Sequence, residues 1–298
     1  MLLDVLASLV IGVAVGSVLF NAAAYAGAAR HRRGHPASCA ADADDVAWPA
    51  RCTAWLRAFG LECTATALLV FASPLALRRV RVRTLDGHPG RRPVVFLHGY
   101  AQHTANFVWL SRRLRADGWR HLYSVRHTAA GGDIEGSAVR FGEALDRVRR
   151  ESGAAQVDVV AHSMGGLVAR AHLRRHGRAS GIARLVTLGT PHQGTLAFPR
   201  LARDRMVAQM RPDSPLLARL AADDPVPACA DCVAIYSADD AIIVPASAGY
   251  WPGAFNVEVR GLGHMSLLFS RRVYELIREN LDAPLAAGRD DVRLAEPG

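Results

Sequence analysis

From residue 91 onward short apolar runs alternate with helical patterns, and that alternation narrows the possible folds more than any other feature of the chain. Runs rich in Val, Ile and Leu occupy 93–98, 121–126, 156–162, 183–189, 232–238 and 256–261. Helical spacing covers 104–117, 137–152, 164–176, 216–221 and 270–281 between and after them. Ser137 stands where a helix could be capped, and Gly118, Gly153 and Gly177 stand where helices would end. Ser214 followed by Pro215 is a cap and the residue best suited to the first helical position. Strands this continuously apolar must be covered on both faces, which predicts an α/β domain on a mostly parallel sheet.

The third apolar run ends in chemistry. Val157-Asp158-Val159-Val160-Ala161-His162-Ser163-Met164-Gly165-Gly166 reads as a strand, a sharp turn and a helix start. Ser163 then sits at a strained elbow with its hydroxyl clear of the sheet, and Ala161 and Gly165 are small because backbone passes close by. The usual spacing has Gly in the first of these positions, where this chain has Ala161. The helix that follows points amide groups at developing negative charge. The first run, Val94 to Leu97, leads into His98-Gly99-Tyr100, so the backbone N–H groups of Tyr100 and Met164 are candidates for an oxyanion hole.

A serine nucleophile needs a base, and the base needs an orienting acid. Of 12 histidines, His264 follows the last strand in a Gly-rich loop, where a triad base belongs. His162 is expected to point away by strand alternation. His98, His103 and His192 are expected to support loops. Asp239 and Asp240 follow the penultimate strand; Asp240 is the candidate acid, with Asp239 as the alternative. The order Ser, Asp, His is the one this strand–turn–helix motif uses. Only 196–228 separates the Thr195 segment from the Cys229 region, too short for a large lid domain. Leu196, Phe198, Met206, Met210, Ile242 and Met265 are candidates for an apolar acyl groove, or else plain core.

These segments together resemble a known family. Ala161-His162-Ser163-Met164-Gly165 is similar to the elbow of small bacterial lipases related to the secreted Bacillus lipase. The stretch from Ile235 to Asp240 and that from Gly261 through Ser270 resemble that family's acid and base segments, and 187–195 resembles a segment common in bacterial lipases. The resemblance covers about 91–281 and implies an α/β-hydrolase fold with Ser163 as nucleophile, Asp240 as acid, His264 as base, and Tyr100 and Met164 as oxyanion donors. It also implies a carboxylic-ester hydrolase acting on lipid-like acyl esters, with neither cofactor nor metal. Asp240 lies one residue farther from the following Val than in the compact Bacillus type. Rival readings are an acyltransferase or non-lipolytic esterase with the same triad, and a catalytically silent membrane-attached binding protein.

The N-terminal region has no counterpart in the secreted lipases, though it resembles that of membrane-attached Gram-negative relatives. Residues 5–29 form an apolar run interrupted by Asn21, preceded by Asp4 and followed by Arg30, Arg32 and Arg33. About 20 helical residues cross a hydrocarbon core, and the positive charge behind the run favours an anchor over a cleaved leader. A second run, 54–77, contains Arg57, Glu62 and Pro74 and ends in Arg78, Arg79, Arg81 and Arg83; it reads as a second span, an interfacial helix or a helix packed on the domain. The expected organisation is a hydrophobic anchor region at 1–78, a catalytic domain at 79–284 and a tail at 285–298. A bacterial inner membrane is the expected location, with the side of the catalytic domain open. The 36 basic residues against 27 acidic ones are all Arg and are scattered, which points away from nucleic acid. No obligate protein partner is evident. Five cysteines, with Cys229 and Cys232 as a lone C-x-x-C, fall short of a zinc or disulfide framework.

Overall fold

A computed structural model describes residues 2–34, 48–73, 91–127, 132–198, 204–222, 230–285 and 292–294. Pro74, the Arg78–Arg83 cluster and its 78/79 boundary, Cys39, Cys229 and most of the 285–298 tail lie outside the described residues. Seven parallel strands form one sheet: β1 (Val94–Leu97), β2 (Leu122–Val125), β3 (Val157–His162), β4 (Ile182–Leu188), β5 (Asp231–Ser237), β6 (Phe255–Val259) and β7 (Val292–Leu294), in the order β2-β1-β3-β4-β5-β6-β7. Six of them answer the six apolar runs, and β7 falls in the stretch that carried no expected element.

Alternation along the strands feeds two cores. Val95, Leu97, Val159, Ala161 and Leu185 join one cluster, while Val94, Phe96, Val160, Val186 and Leu188 join the other. The first cluster is covered by α4 (Ile134–Ser152), α5 (Met164–His176), α6 (Arg205–Gln209) and α7 (Pro215–Ala221). The second is covered by α3 (Val108–Ala116) and α8 (Arg271–Asp282). Each fully buried side chain of this size contributes about 1.5–3 kcal/mol. At the amino-terminal end of the sheet the buried charges are paired: Arg92 with Asp158 at 2.8 Å, and Arg184 with Asp231 at 3.4 Å. Arg184 also donates to the carbonyls of Leu281 at 3.0 Å and Ala283 at 2.9 Å.

Two helix starts differ from expectation. The helix expected from Ser137 begins at Ile134, because Asp133 caps it by accepting the Gly136 N–H at 2.7 Å. Residues Thr104–Phe107 form a tight 3₁₀ turn before α3 rather than its first turn. The Ser214 cap behaves as expected, accepting the Leu217 N–H at 3.2 Å.

The N-terminal runs form α1 (Leu2–Gly34) and α2 (Trp48–Ala72), which pack antiparallel: Tyr25 meets Trp55 and Phe59 edge-on at 5.3 and 5.5 Å, and the Asn21 amide donates to Thr66 at 3.1 Å. Ser17, Asn21, Tyr25 and Ala28 on α1, and Ala58, Glu62, Ala65 and Leu69 on α2, form buried stripes at spacings of three and four. Their outer faces expose Ile11, Leu19, Leu56 and Leu68. Both helices are long and apolar enough to cross a bilayer. Their inner stripes, however, are pressed against the carboxyl rim of the sheet. Tyr25 and Ala28 cluster with Ala241 and Val244, and Leu69 joins the second sheet core.

Candidate active site

The site is built from the carboxyl ends of β1, β3, β5 and β6. Ala161 is in register with Leu97 on one side and Thr187 on the other, so β3 is held centrally up to the turn. There Ser163 adopts φ 56°, ψ −131°, a conformation that costs a non-glycine residue about 1–3 kcal/mol. Its N–H donates to the Leu188 carbonyl at 2.9 Å and its carbonyl accepts the Thr190 hydroxyl at 2.8 Å, which hold the strained turn. A Cβ at Gly165 would lie 2.5 Å from the Leu97 carbonyl oxygen, so only glycine lets α5 approach β1 this closely.

The structure brings three sequence candidates together. His264 Nε2 lies 2.9 Å from Ser163 Oγ, and His264 Nδ1 lies 2.7 Å from Asp240 Oδ2. Asp240 Oδ1 accepts the N–H groups of Ile242 at 2.8 Å and Ile243 at 2.9 Å, which fixes the carboxylate plane. Asp239 turns the other way and accepts the Gly261 N–H at 2.7 Å, tying the acid loop to the base loop. Because Asp240 accepts the Nδ1 proton, Nε2 is left as acceptor for the Ser163 hydroxyl. Burial alone would pull the His264 pKa down, but Asp240 and then Glu62 outweigh it and hold it above the ordinary imidazole value. Gly189, at φ 53°, keeps space open: a Cβ there would lie 3.2 Å from His264 Nδ1 and 3.3 Å from Asp240 Oδ2.

The two candidate oxyanion donors flank Ser163. Among the described residues the N–H groups of Tyr100 and Met164 have no acceptor. The loop carrying Tyr100 is fixed by the Gly99 N–H donating to Gln102 Oε1 at 2.9 Å, and a Cβ at Gly99 would fall 2.7 Å from that of Ser163. Alternation sets His162 aside from the hydroxyl, yet its ring packs on that of His264 with centroids 4.7 Å apart. Its Nε2–H donates to the His264 carbonyl at 3.0 Å, and burial pushes its pKa far down, so it supports the base while neutral. His192 is buried against Trp251 and paired with Thr187 at 2.9 Å, and His98 stacks on His127.

A cavity of about 600 Å³ opens on Ser163 and His264. Phe198, Met210, Ile242 and Met265 line it as expected of an acyl groove. Leu196 is not part of that lining and lies exposed, and Met206 is buried in the first sheet core, while Met210, just past the end of α6, reaches the cavity. The opposite wall is unforeseen. It comes from Gly16, Ser17 and Phe20 of α1 and Thr66, Leu69 and Val70 of α2. Glu62 was missed as well; it read as a polar flaw in an apolar run, yet it accepts the N–H groups of Met265 at 2.6 Å and Ser266 at 2.9 Å. Cys232 is buried in β5 and its thiol donates to the Ala230 carbonyl at 3.6 Å, a structural role.

The family profile described as palmitoyl protein thioesterase matches residues 93–251, just over half of the chain and most of this rim. The chain belongs to the palmitoyl protein thioesterase family. This palmitoyl protein thioesterase relative shares its α/β-hydrolase fold with solved lipases at low identity. A mature Bacillus licheniformis lipase, BlEst2, aligns at 15% identity with a TM-score of 0.59, over 67% of this chain and 95% of that one. Aspergillus fumigatus lipase B aligns at 16% identity with a TM-score of 0.58, over 69% of this chain and 55% of that one, so the chain spans about half the length of the fungal protein.

Proposed function

We propose that the protein is a membrane-attached serine hydrolase that cleaves long-chain acyl esters through an acyl-enzyme on Ser163. The observation that carries this reading is the hydrogen-bonded line Asp240–His264–Ser163, at 2.7 and 2.9 Å, ending at the mouth of an apolar cavity. Ser163 Oγ bonds to the acyl carbonyl carbon as its proton passes to His264 Nε2. The resulting oxyanion faces the N–H groups of Tyr100 and Met164. His264 then gives the proton to the leaving oxygen as the ester bond breaks, and Asp240 holds the imidazole tautomer throughout. Water, activated by the same imidazole, releases the fatty acid and restores the Ser163 hydroxyl.

The acyl chain lies in the cavity between the sheet rim and the helix pair, with Phe198, Met210, Ile242 and Met265 on one side and Gly16 and Leu69 on the other. The exposed apolar faces of α1 and α2 seat the molecule in a membrane, where such substrates reside. A second reading, hydrolysis of a long-chain acyl thioester, is favoured by the family match over 93–251 and differs only in the leaving atom. The test uses the full chain in detergent micelles with p-nitrophenyl esters of increasing acyl length and a palmitoyl thioester. Turnover is expected to rise beyond eight carbons and to vanish in Ser163→Ala. Hydrolysis of acetyl esters alone, transfer to added alcohol exceeding hydrolysis, or full activity in Ser163→Ala would each defeat the lipase reading.

A further inference from the structure

We propose that Glu62 is a positioning residue for the base: its carboxylate fixes the loop that carries His264, so the N-terminal helix pair completes the catalytic apparatus. This rests on the reading of His264 as general base. Glu62 is the only acidic residue of α2 and is 2% exposed. A carboxylate buried in an apolar helix face costs several kcal/mol unless its oxygens are satisfied. Here each oxygen takes one backbone N–H, those of the two residues that directly follow His264. Two oxygens accepting from two separate donors is the pattern of an ionised carboxylate.

The rest of the loop is held from the sheet side. Ser237 donates to the Leu262 carbonyl at 2.5 Å, the Gly263 N–H donates to Ser266 Oγ at 2.7 Å, and His162 donates to the His264 carbonyl. These bonds leave the Met265 and Ser266 N–H groups to be met from outside the domain, and Glu62 meets them. The contact has no slack: a Cβ at Gly263 would lie 2.5 Å from Glu62 Oε2 and 2.8 Å from the Tyr25 hydroxyl. The groups facing this centre are Asp240 and Asp239 from the acid loop, His162 from β3, Tyr25 and Arg32 from α1, and Glu62 with its neighbour Cys63 from α2. Glu62 therefore adds a second negative charge beside the imidazole, which favours the imidazolium formed when Ser163 gives up its proton.

The test compares full-length wild type, Glu62→Gln, Glu62→Asp and Ser163→Ala in the same micelles on a p-nitrophenyl ester. An amide offers one acceptor oxygen and no charge. Glu62→Gln is therefore expected to lower kcat about 10- to 100-fold, with KM within about twofold of wild type. It also moves the acid limb of kcat/KM to lower pH, because the imidazolium loses a neighbouring anion. Glu62→Asp keeps the charge but falls one methylene short, so its kcat drops while its acid limb stays near that of wild type. A merely structural role would leave the limb unmoved in both. Wild-type kcat and an unmoved limb in Glu62→Gln, with Ser163→Ala dead, overturn the role of Glu62. Should the Gln variant fail to fold, wild-type kcat in Glu62→Asp overturns it equally. Activity surviving in Ser163→Ala would instead condemn the triad reading itself.

Discussion

The sheet and the N-terminal helix pair both bury polar side chains, but they arrange them oppositely. In the sheet, apolar residues fill the interior, and the buried charges at its amino-terminal end are matched locally, Arg92 to Asp158 and Arg184 to Asp231. In the helix pair the polar residues Ser17, Asn21 and Glu62 point inward, and large apolar side chains such as Ile11, Leu19 and Leu56 point out. The domain around the sheet keeps its large apolar side chains inside, whereas the pair shows large apolar side chains on its outer face and polar ones toward the carboxyl rim of the sheet. The difference shows that hydropathy along 5–29 and 54–77 reports the outward face of these helices, while the few polar residues that interrupt it make the contacts between the helices and with the domain.

The contrast can be broken most sharply where the regions meet. Asp240 lies just before Ala241, which packs on Tyr25 and Ala28 of α1. Asp240→Asn should lower kcat by about 10⁴-fold, since an amide cannot enforce the Nδ1–H tautomer. Asp239→Asn, removing only an acceptor for the Gly261 N–H, should lose far less. Steady-state kinetics on the two variants check this, and equal losses would make the acid assignment untenable.

A smaller effect is expected within the sheet. Arg184→Met takes the guanidinium away from Asp231 and the Arg184 donor away from the Leu281 and Ala283 carbonyls, at a cost of about 3 kcal/mol. Thermal melting should fall by several degrees, with turnover per folded molecule unchanged. The smallest effect belongs to the helix pair. Asn21→Leu deletes bonds to the Ser17 carbonyl and Thr66 but puts an apolar side chain of similar size in their place. Its unfolding free energy should stay within about 1 kcal/mol of wild type. A loss matching that of Arg184→Met would mean that the two regions obey the same rule after all.

What could be read in the sequence was what is local. The six long strands follow from apolar runs whose alternate residues feed the two cores. Ser163 was legible because its elbow needs a strand, a small residue and a helix within ten positions, and His264 because it follows the last of those strands. Pattern set Asp240 ahead of Asp239 without settling the choice: which carboxylate turns to the imidazole depends on where the Gly261 N–H lies, a fact of loop geometry. The start of α4 was misplaced because Asp133 and Ser137 are both good caps, and only tertiary packing selects between them. Glu62 was illegible for a different reason. Its partners stand 203 and 204 positions later in the chain, and a lone carboxylate in an apolar run carries no trace of where its donors will come from.

The docking of α1 on the acid loop and of α2 on the base loop has a consequence for where the chemistry can happen. A copy clipped free of its first seventy residues would keep the serine, the imidazole and the sheet, yet lose the Glu62 carboxylate that meets the Met265 and Ser266 N–H groups and the wall that α1 and α2 give the cavity. Bracing the loop of His264 and walling the cavity thus fall to the same two helices, so neither can be lost without the other.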